Sequence, residues 1–131
     1  MAKAIMDALK TRLHATTALV NRLGGRMYLD EGPSNAALPM MVYSATSTVV
    51  TPMFGTLKRY DMTVEFVIAY ANAGTTDIWT VAADIETALS TTMSATGFDR
   101  VSAVKTGGGV PSFEDDAWTM TETYRLTAFD P

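Results

Sequence analysis

Cysteine is absent from the 131-residue chain. A disulfide scaffold and any thiolate metal site are therefore excluded, and the redox compartment leaves no mark on the sequence. Histidine occurs once, as His14. A histidine-based metal site needs several such ligands, and nucleophilic triads need His beside a Ser or Cys nucleophile. No G-x-S-x-G elbow is present. His14 reads as a surface or boundary residue of a helix. Long apolar runs are missing too: none approaches the roughly 18 residues of a membrane span. Lys3, Asp7, Lys10 and Arg12 interrupt the apolar positions at the N-terminus, which is not the pattern of a signal peptide. The expectation is a chain that is soluble and intracellular when made. Positive charge is scarce. Ten Lys and Arg face 14 Asp and Glu, for a formal net charge of −4, and the scattered cations disfavour a nucleic-acid-binding domain.

What remains is 47% hydrophobic and 18% charged, well inside the globular range. The length suits one domain over residues 1–131, large enough to bury a core without staples. Residues 2–23 carry a helical stripe of Ile5, Leu9 and Leu13, with Met6 beside them. The stripe falters at Ala15-Thr16-Thr17 and resumes at Leu19, Val20 and Leu23. Two helical pieces are expected, the second capped by Thr16 or Thr17 and closed by Gly24-Gly25. Arg26–Asp30 is a short strand candidate, followed by the turn-rich 31–35. A second strand runs from Met40 to about Val50, and 51–55 forms a turn or the tip of a long hairpin.

The clearest strand is Leu57–Ala71. Tyr60, Met62, Val64, Phe66, Ile68 and Tyr70 alternate with more polar residues, as in an antiparallel sheet covered on one side. After the loop 72–77, Ile78, Val81, Ala82, Ile85 and Leu89 make a second helical stripe that Gly97 closes. Phe98–Lys105 is the fourth strand and Ala117–Phe129 the last. Trp118, Met120, Tyr124 and Leu126 share one face of that last strand, and Glu122 breaks their apolar series. The fold class is α+β, in the order α(α)βββαββ. A mostly antiparallel sheet of four or five strands carries one or two N-terminal helices and a central helix on one face.

No constellation for chemistry stands out. Gly107-Gly108-Gly109 superficially resembles a phosphate loop, yet no Lys-Ser/Thr follows, and Pro111 and acids come next. It reads as a mobile loop or an assembly contact. Glu114-Asp115-Asp116 lacks the spaced ligands of a calcium loop and reads as a solvated run rather than a metal site. No catalytic residue, cofactor or metal is expected. Trp79 either flanks the core or anchors a subunit contact, a use in which Trp is enriched. Most of the nine Met residues fall on sheet core faces and read as core filling.

At residues 26–43 the string R-M-Y-L-D-E-G-P-S-N-A-A-L-P-M-M-V-Y resembles the signature of the tail terminator family of long-tailed bacteriophages, the minor tail protein U-like tail-completion proteins. Gly25-Arg26, Met27-Tyr28, Pro33, Leu38-Pro39 and Val42-Tyr43 carry the likeness. The long strand 57–71, the Ile85 and Leu89 helix and two closing strands extend it over nearly the whole chain. The resemblance implies a virion protein of the tail or neck, assembled in the host cytoplasm, with no enzymatic activity. It implies a homo-oligomeric, hexameric ring that caps the tail tube, ends tube polymerisation and joins the tail to the head connector or stopper protein. DNA would cross the lumen without specific binding, and no membrane would be involved.

On this reading the loops 30–39, 51–56 and 106–116 project toward partners. Pro33, Asn35, Pro52, Phe54, Gly108 and Pro111 are then contact candidates together with Trp79, and Glu114, Asp115 and Asp116 are acidic loop or lumen residues. Two rival readings stand beside it. One is another neck component, a head-completion or stopper protein. The other is a small ligand-binding domain or enzyme, whose mark would be convergent polar groups on the apolar sheet face. Glu122 is the one such residue, and a place near a sheet edge or a basic partner is its plainer account.

Overall fold

The chain folds in the order α1 (Ala2–Ala15), α2 (Thr17–Leu23), β1 (Met27–Leu29), β2 (Met40–Pro52), β3 (Lys58–Ala71), α3 (Thr75–Ala88), β4 (Val101–Gly108), β5 (Ser112–Glu114) and β6 (Ala117–Phe129). These elements belong to a computed structural model that describes residues 2–32, 37–71, 75–114 and 117–129.

The helical stripes become buried surface. Ile5, Leu9 and Leu13 of α1, Leu19 and Leu23 of α2, and Ile78, Val81 and Ile85 of α3 are all essentially inaccessible to solvent. The break at 15–17 does divide two helices. Thr16 takes the extended N-cap conformation, but its hydroxyl turns back to the carbonyl of Arg12 at 2.8 Å instead of capping α2. Gly24 ends α2 in the left-handed region at φ +61°, where a side chain would be strained. A Cβ there would also come within 2.7 Å of the Arg26 guanidinium.

The sheet order is β1-β2-β3-β6-β4, with β5 pairing β6 as well. The C-terminal strand therefore sits inside the sheet, antiparallel to β3, β4 and β5. The β2–β3 hairpin is antiparallel along its whole length, with a bulge between Ala45 and Ser47. Its period-two pattern puts Tyr60, Met62, Val64, Phe66 and Ile68 on the buried face with Met120, Tyr124, Leu126 and Ala128 of β6. α3 packs across β3 and β6 on that face, and α1 and α2 pack on α3. Arg22 of α2 holds Asp84 of α3 at 2.8 Å. Arg12 of α1 donates to the carbonyl of Ala88, the last residue of α3, and to those of Thr91 and Thr92 just beyond it. A cation at that end satisfies orphan carbonyls and complements the helix dipole.

Four sequence expectations need correction. The sheet is six-stranded and mixed, because β1 runs parallel to β2, with Met27 opposite Met41 and Leu29 opposite Tyr43. A three-residue strand without alternation carries no signal of direction. The 112–114 segment is a strand, not loop: β5 folds back on the start of β6 and sets Phe113 against Trp118, ring centres 5.3 Å apart and planes tilted by 57°. β4 starts at Val101 and runs through Gly107 and Gly108, so this glycine run is mostly strand. Finally, α3 ends at Ala88, well before Gly97. Met93, between the end of α3 and Gly97, instead pairs with Val101 through two backbone hydrogen bonds of 2.8 Å.

Candidate functional site

The helices cover only part of the sheet. Beyond Tyr43, β2 runs out past their shelter, and from Ala45 to Val50 its residues are exposed on both faces. The arm ends in a tight tip closed by Met53 N–H to the Leu57 carbonyl at 2.8 Å. Val49, Val50, Met53, Phe54 and Leu57 are exposed here, Phe54 to 87%. From Ser44 to Leu57 the sequence holds no charged residue. Water normally strips such apolar surface into contact with something. Pro52 is the last residue of β2 rather than part of a loop.

A second apolar group lies near the other margin of the sheet. Val104, Val110 and Phe113 are exposed there, with Pro111 half-buried between the latter two. Trp79 projects from the first turns of α3 with 47% of its surface in solvent. His14 is exposed on α1. Pro33, Asn35, Asp115 and Asp116 lie outside the described residues, as does the side chain of Glu114.

The residue that sequence reasoning placed least well is Glu122. It lies in β6, an interior strand, on the helix-covered face and only 1% exposed. Phe66 of β3 stands opposite on one side and Gly108 of β4 on the other. Of the two plain accounts, the basic partner is correct and the edge position is not: Lys105 Nζ lies 3.0 Å from Oε2. That contact is close without being directed as a hydrogen bond, and neither carboxylate oxygen has a hydrogen-bond partner among the described residues. Gly108 is required by this packing, since a Cβ there would sit 2.5 Å from Glu122 Oε2 and 3.2 Å from Lys105 Cε. The only sequence signal was the interruption of an apolar face by one acid.

The hydroxyls of Tyr43 and Tyr124 are also buried without a hydrogen-bond partner among the described residues. Burial pushes the Tyr124 phenol well above the ordinary tyrosine range, with Glu86 and Glu122 adding to the shift. Tyr43 and Tyr70 move the same way, again chiefly through burial. A tyrosine raised by folding contributes stability that is intact below the ordinary pKa of about 10. It is lost as pH climbs from there through the folded value. Thermal melts between about pH 8 and 11 should show the midpoint falling once the unfolded phenols ionise. Tyr124→Phe should flatten that fall while leaving stability near neutrality within about 1 kcal/mol of the parent, because the deleted hydroxyl has no hydrogen-bond partner to lose among the described residues. Identical alkaline slopes for parent and variant would remove Tyr124 from this account.

These groups do not converge on an open cavity. One groove of about 430 Å³ runs between α1 and residues 93–96, lined mainly by Ala4, Ala8, Thr11, Ala15 and Ser94. Its charged members are Asp7, engaged by Lys3 at 2.8 Å, and the helix-capping Arg12. A smaller recess on the uncovered sheet face holds Arg59, Asp61 and Thr127 in one network. Arg59 Nε meets Asp61 Oδ2 at 2.9 Å, and Thr127 Oγ1 donates to Asp61 Oδ1 at 2.8 Å. Among the described residues no cluster of His, Asp and Glu has the makings of a metal site.

Exposed apolar arms on a sheet with one helix-covered face are the kind of surface that marks protein–protein contact. The chain belongs to the family described as Tail completion protein gp17, which matches residues 2–117. It is thus a structural protein of the phage tail, and its place is in the virion. Among solved structures, a chain in "Virion of native gene transfer agent (GTA) particle" superposes with a TM-score of 0.74. That chain is 17% identical, and the match covers 98% of this chain and 96% of that one. At such identity the likeness is one of fold. Comparison with curated proteins yields no match.

Proposed function

We propose that this protein closes side by side into a ring, hexameric by family resemblance, that caps the tail tube. The ring ends tube polymerisation, offers its other side to the head connector and lets DNA through its lumen. The observation that carries this reading is the charge-free arm Ser44–Leu57, with Phe54 at its tip 87% exposed. A monomer gains nothing from holding that surface in water, whereas a ring buries it at every joint. Each joint needs on the order of 1,000 Å² of buried surface to be specific. The acidic balance of −4 per subunit suits a passage for DNA, which carries about one negative charge per 1.7 Å and would bind a basic wall.

Native mass spectrometry over a concentration series, alone and with purified tail tubes, tests the reading. Masses at whole multiples of 14.1 kDa, with six copies at a tube end, are expected. Adding the protein to elongating tubes should arrest growth. Binding to purified heads with no effect on tubes would instead make it a head-completion or stopper protein. A monomer in the presence of tubes and heads alike would defeat the assembly role.

A further inference from the structure

Among the described residues the sheet leaves an open stretch on each of two edges. β1 covers β2 only as far as Tyr43, which leaves the outer edge of β2 open. The free stretch is bracketed by the bulge between Ala45 and Ser47 and by Pro52 at the strand's end, so it spans Ser47–Thr51. At the other margin Met93 occupies the outer edge of β4 at Val101, and a bulge between Lys105 and Gly107 ends regular pairing. Ser102–Lys105 is thus the corresponding stretch, one residue shorter because Val101 is already taken by Met93.

The direction of each backbone group follows from the alternation of antiparallel ladders. In β2, Met41 N–H bonds outward to Arg26 and the Tyr43 carbonyl accepts from Asp30. After the bulge, the hairpin closure by Met53 and Leu57 sets the odd residues inward toward β3. Thr48 and Val50 therefore present N–H and C=O outward. In β4, Val101 bonds outward to Met93, so Ala103 and Lys105 do the same. Unpaired strand edges are templates for another strand, and soluble proteins blunt them with charge or cover. The β2 stretch carries no charge. The single cation on the β4 stretch, Lys105, is turned inward onto Glu122.

We propose that the β2 arm of one copy pairs along the β4 edge of the next, so that the sheet continues from subunit to subunit around the ring. The inference rests on the ring reading above and specifies its joint. The occupant is a second copy because ring closure needs two different surfaces on one protomer, and these edges lie at opposite margins of one sheet. A two-fold β2–β2 pair would consume one edge and leave every β4 edge bare. Pairing head to tail also places the exposed side chains of Val50 and Phe54 against a neighbour rather than in water.

Thr48→Pro and Ala103→Pro test the joint without depending on register. Each removes an N–H that points away from its own sheet, a position where edge strands tolerate proline. Native mass spectrometry should show rings for the parent and monomers for each variant, with at least a tenfold loss of ring. The two variants mixed in equal amounts should form one-to-one dimers, since each keeps the edge its partner has lost. Rings from both variants alone, or a dimer of Ala103→Pro by itself, would overturn the proposed joint while the parent's ring stands. A parent that forms no ring even with tubes would overturn the ring reading and this inference together. Should either proline variant fail to fold by circular dichroism, Val50→Lys and Val104→Lys place edge charges at exposed positions and face the same outcomes.

Discussion

Lys105→Met should lower the folding free energy by about 3 kcal/mol, and adding Glu122→Leu should restore most of it. The Glu122 carboxylate is 1% exposed and, among the described residues, its one ionic partner is Lys105 Nζ at 3.0 Å. Removing one member of a buried pair leaves an uncompensated charge and costs roughly 3–5 kcal/mol. The lower end applies because Lys105 is 37% exposed, so solvent already shares in screening the pair. Replacing the acid instead removes the buried charge, and the lysine head can swing into water. Glu122→Leu alone is therefore expected to be neutral or stabilising, as with other buried pairs exchanged for apolar groups. Urea titration of the parent, both single variants and the double variant completes the cycle. A Lys105→Met variant as stable as the parent would show that the ammonium contributes nothing to holding the carboxylate. Ring formation in the same four proteins has a separate reading. If the pair serves mainly to fix the β4 edge, Glu122→Leu folds well yet assembles poorly.

Phe66→Ala should destabilise the monomer by about 3–5 kcal/mol. Phe66 is fully buried at the centre of β3. Its ring lies 6.1 Å from Tyr43 in a stacked arrangement and 5.5 Å from Tyr124 edge to face. Truncation deletes both aromatic contacts and opens a void that the two neighbouring strands cannot close, because each is fixed by its ladder. It also uncovers the flank of Glu122, which stands directly opposite in register. The denaturation midpoint should fall with the slope unchanged. Phe66→Leu, which fills most of the space, should cost less than half as much. A loss under about 1 kcal/mol for the alanine variant would mean that the site collapses around the gap.

The contrast between Phe66 and Glu122 shows what a linear reading can reach. Phe66 sits in a ten-residue alternation of apolar and polar residues, and that pattern alone assigns its strand, its face and its burial. Helical stripes in α1, α2 and α3 were legible for the same reason: Leu9, Leu13 and Ile85 recur at the period of one buried side. Glu122 follows the same alternation, which correctly puts it on the covered face. Its partner and the glycine that makes room for it lie on β4, at positions no local period connects to residue 122. Phe54 was a candidate contact from its place between two strands. That it stands 87% exposed at the end of an arm without helical cover depends on where the helices stop.

Sequence by itself thus determined the α+β class, the order of the principal elements, the identity of the core residues and the likeness to phage tail-completion proteins. All of these reside in short-range periodicity and in motifs read along the chain. The tertiary structure alone decided that β6 lies inside the sheet, that β1 is parallel, that the glycine run is mostly strand and that, among the described residues, two edge stretches stay open at opposite margins. Those features are set by which distant segments pair. Strand pairing is a non-local choice made by backbone hydrogen bonds that every residue can form and no side-chain pattern records.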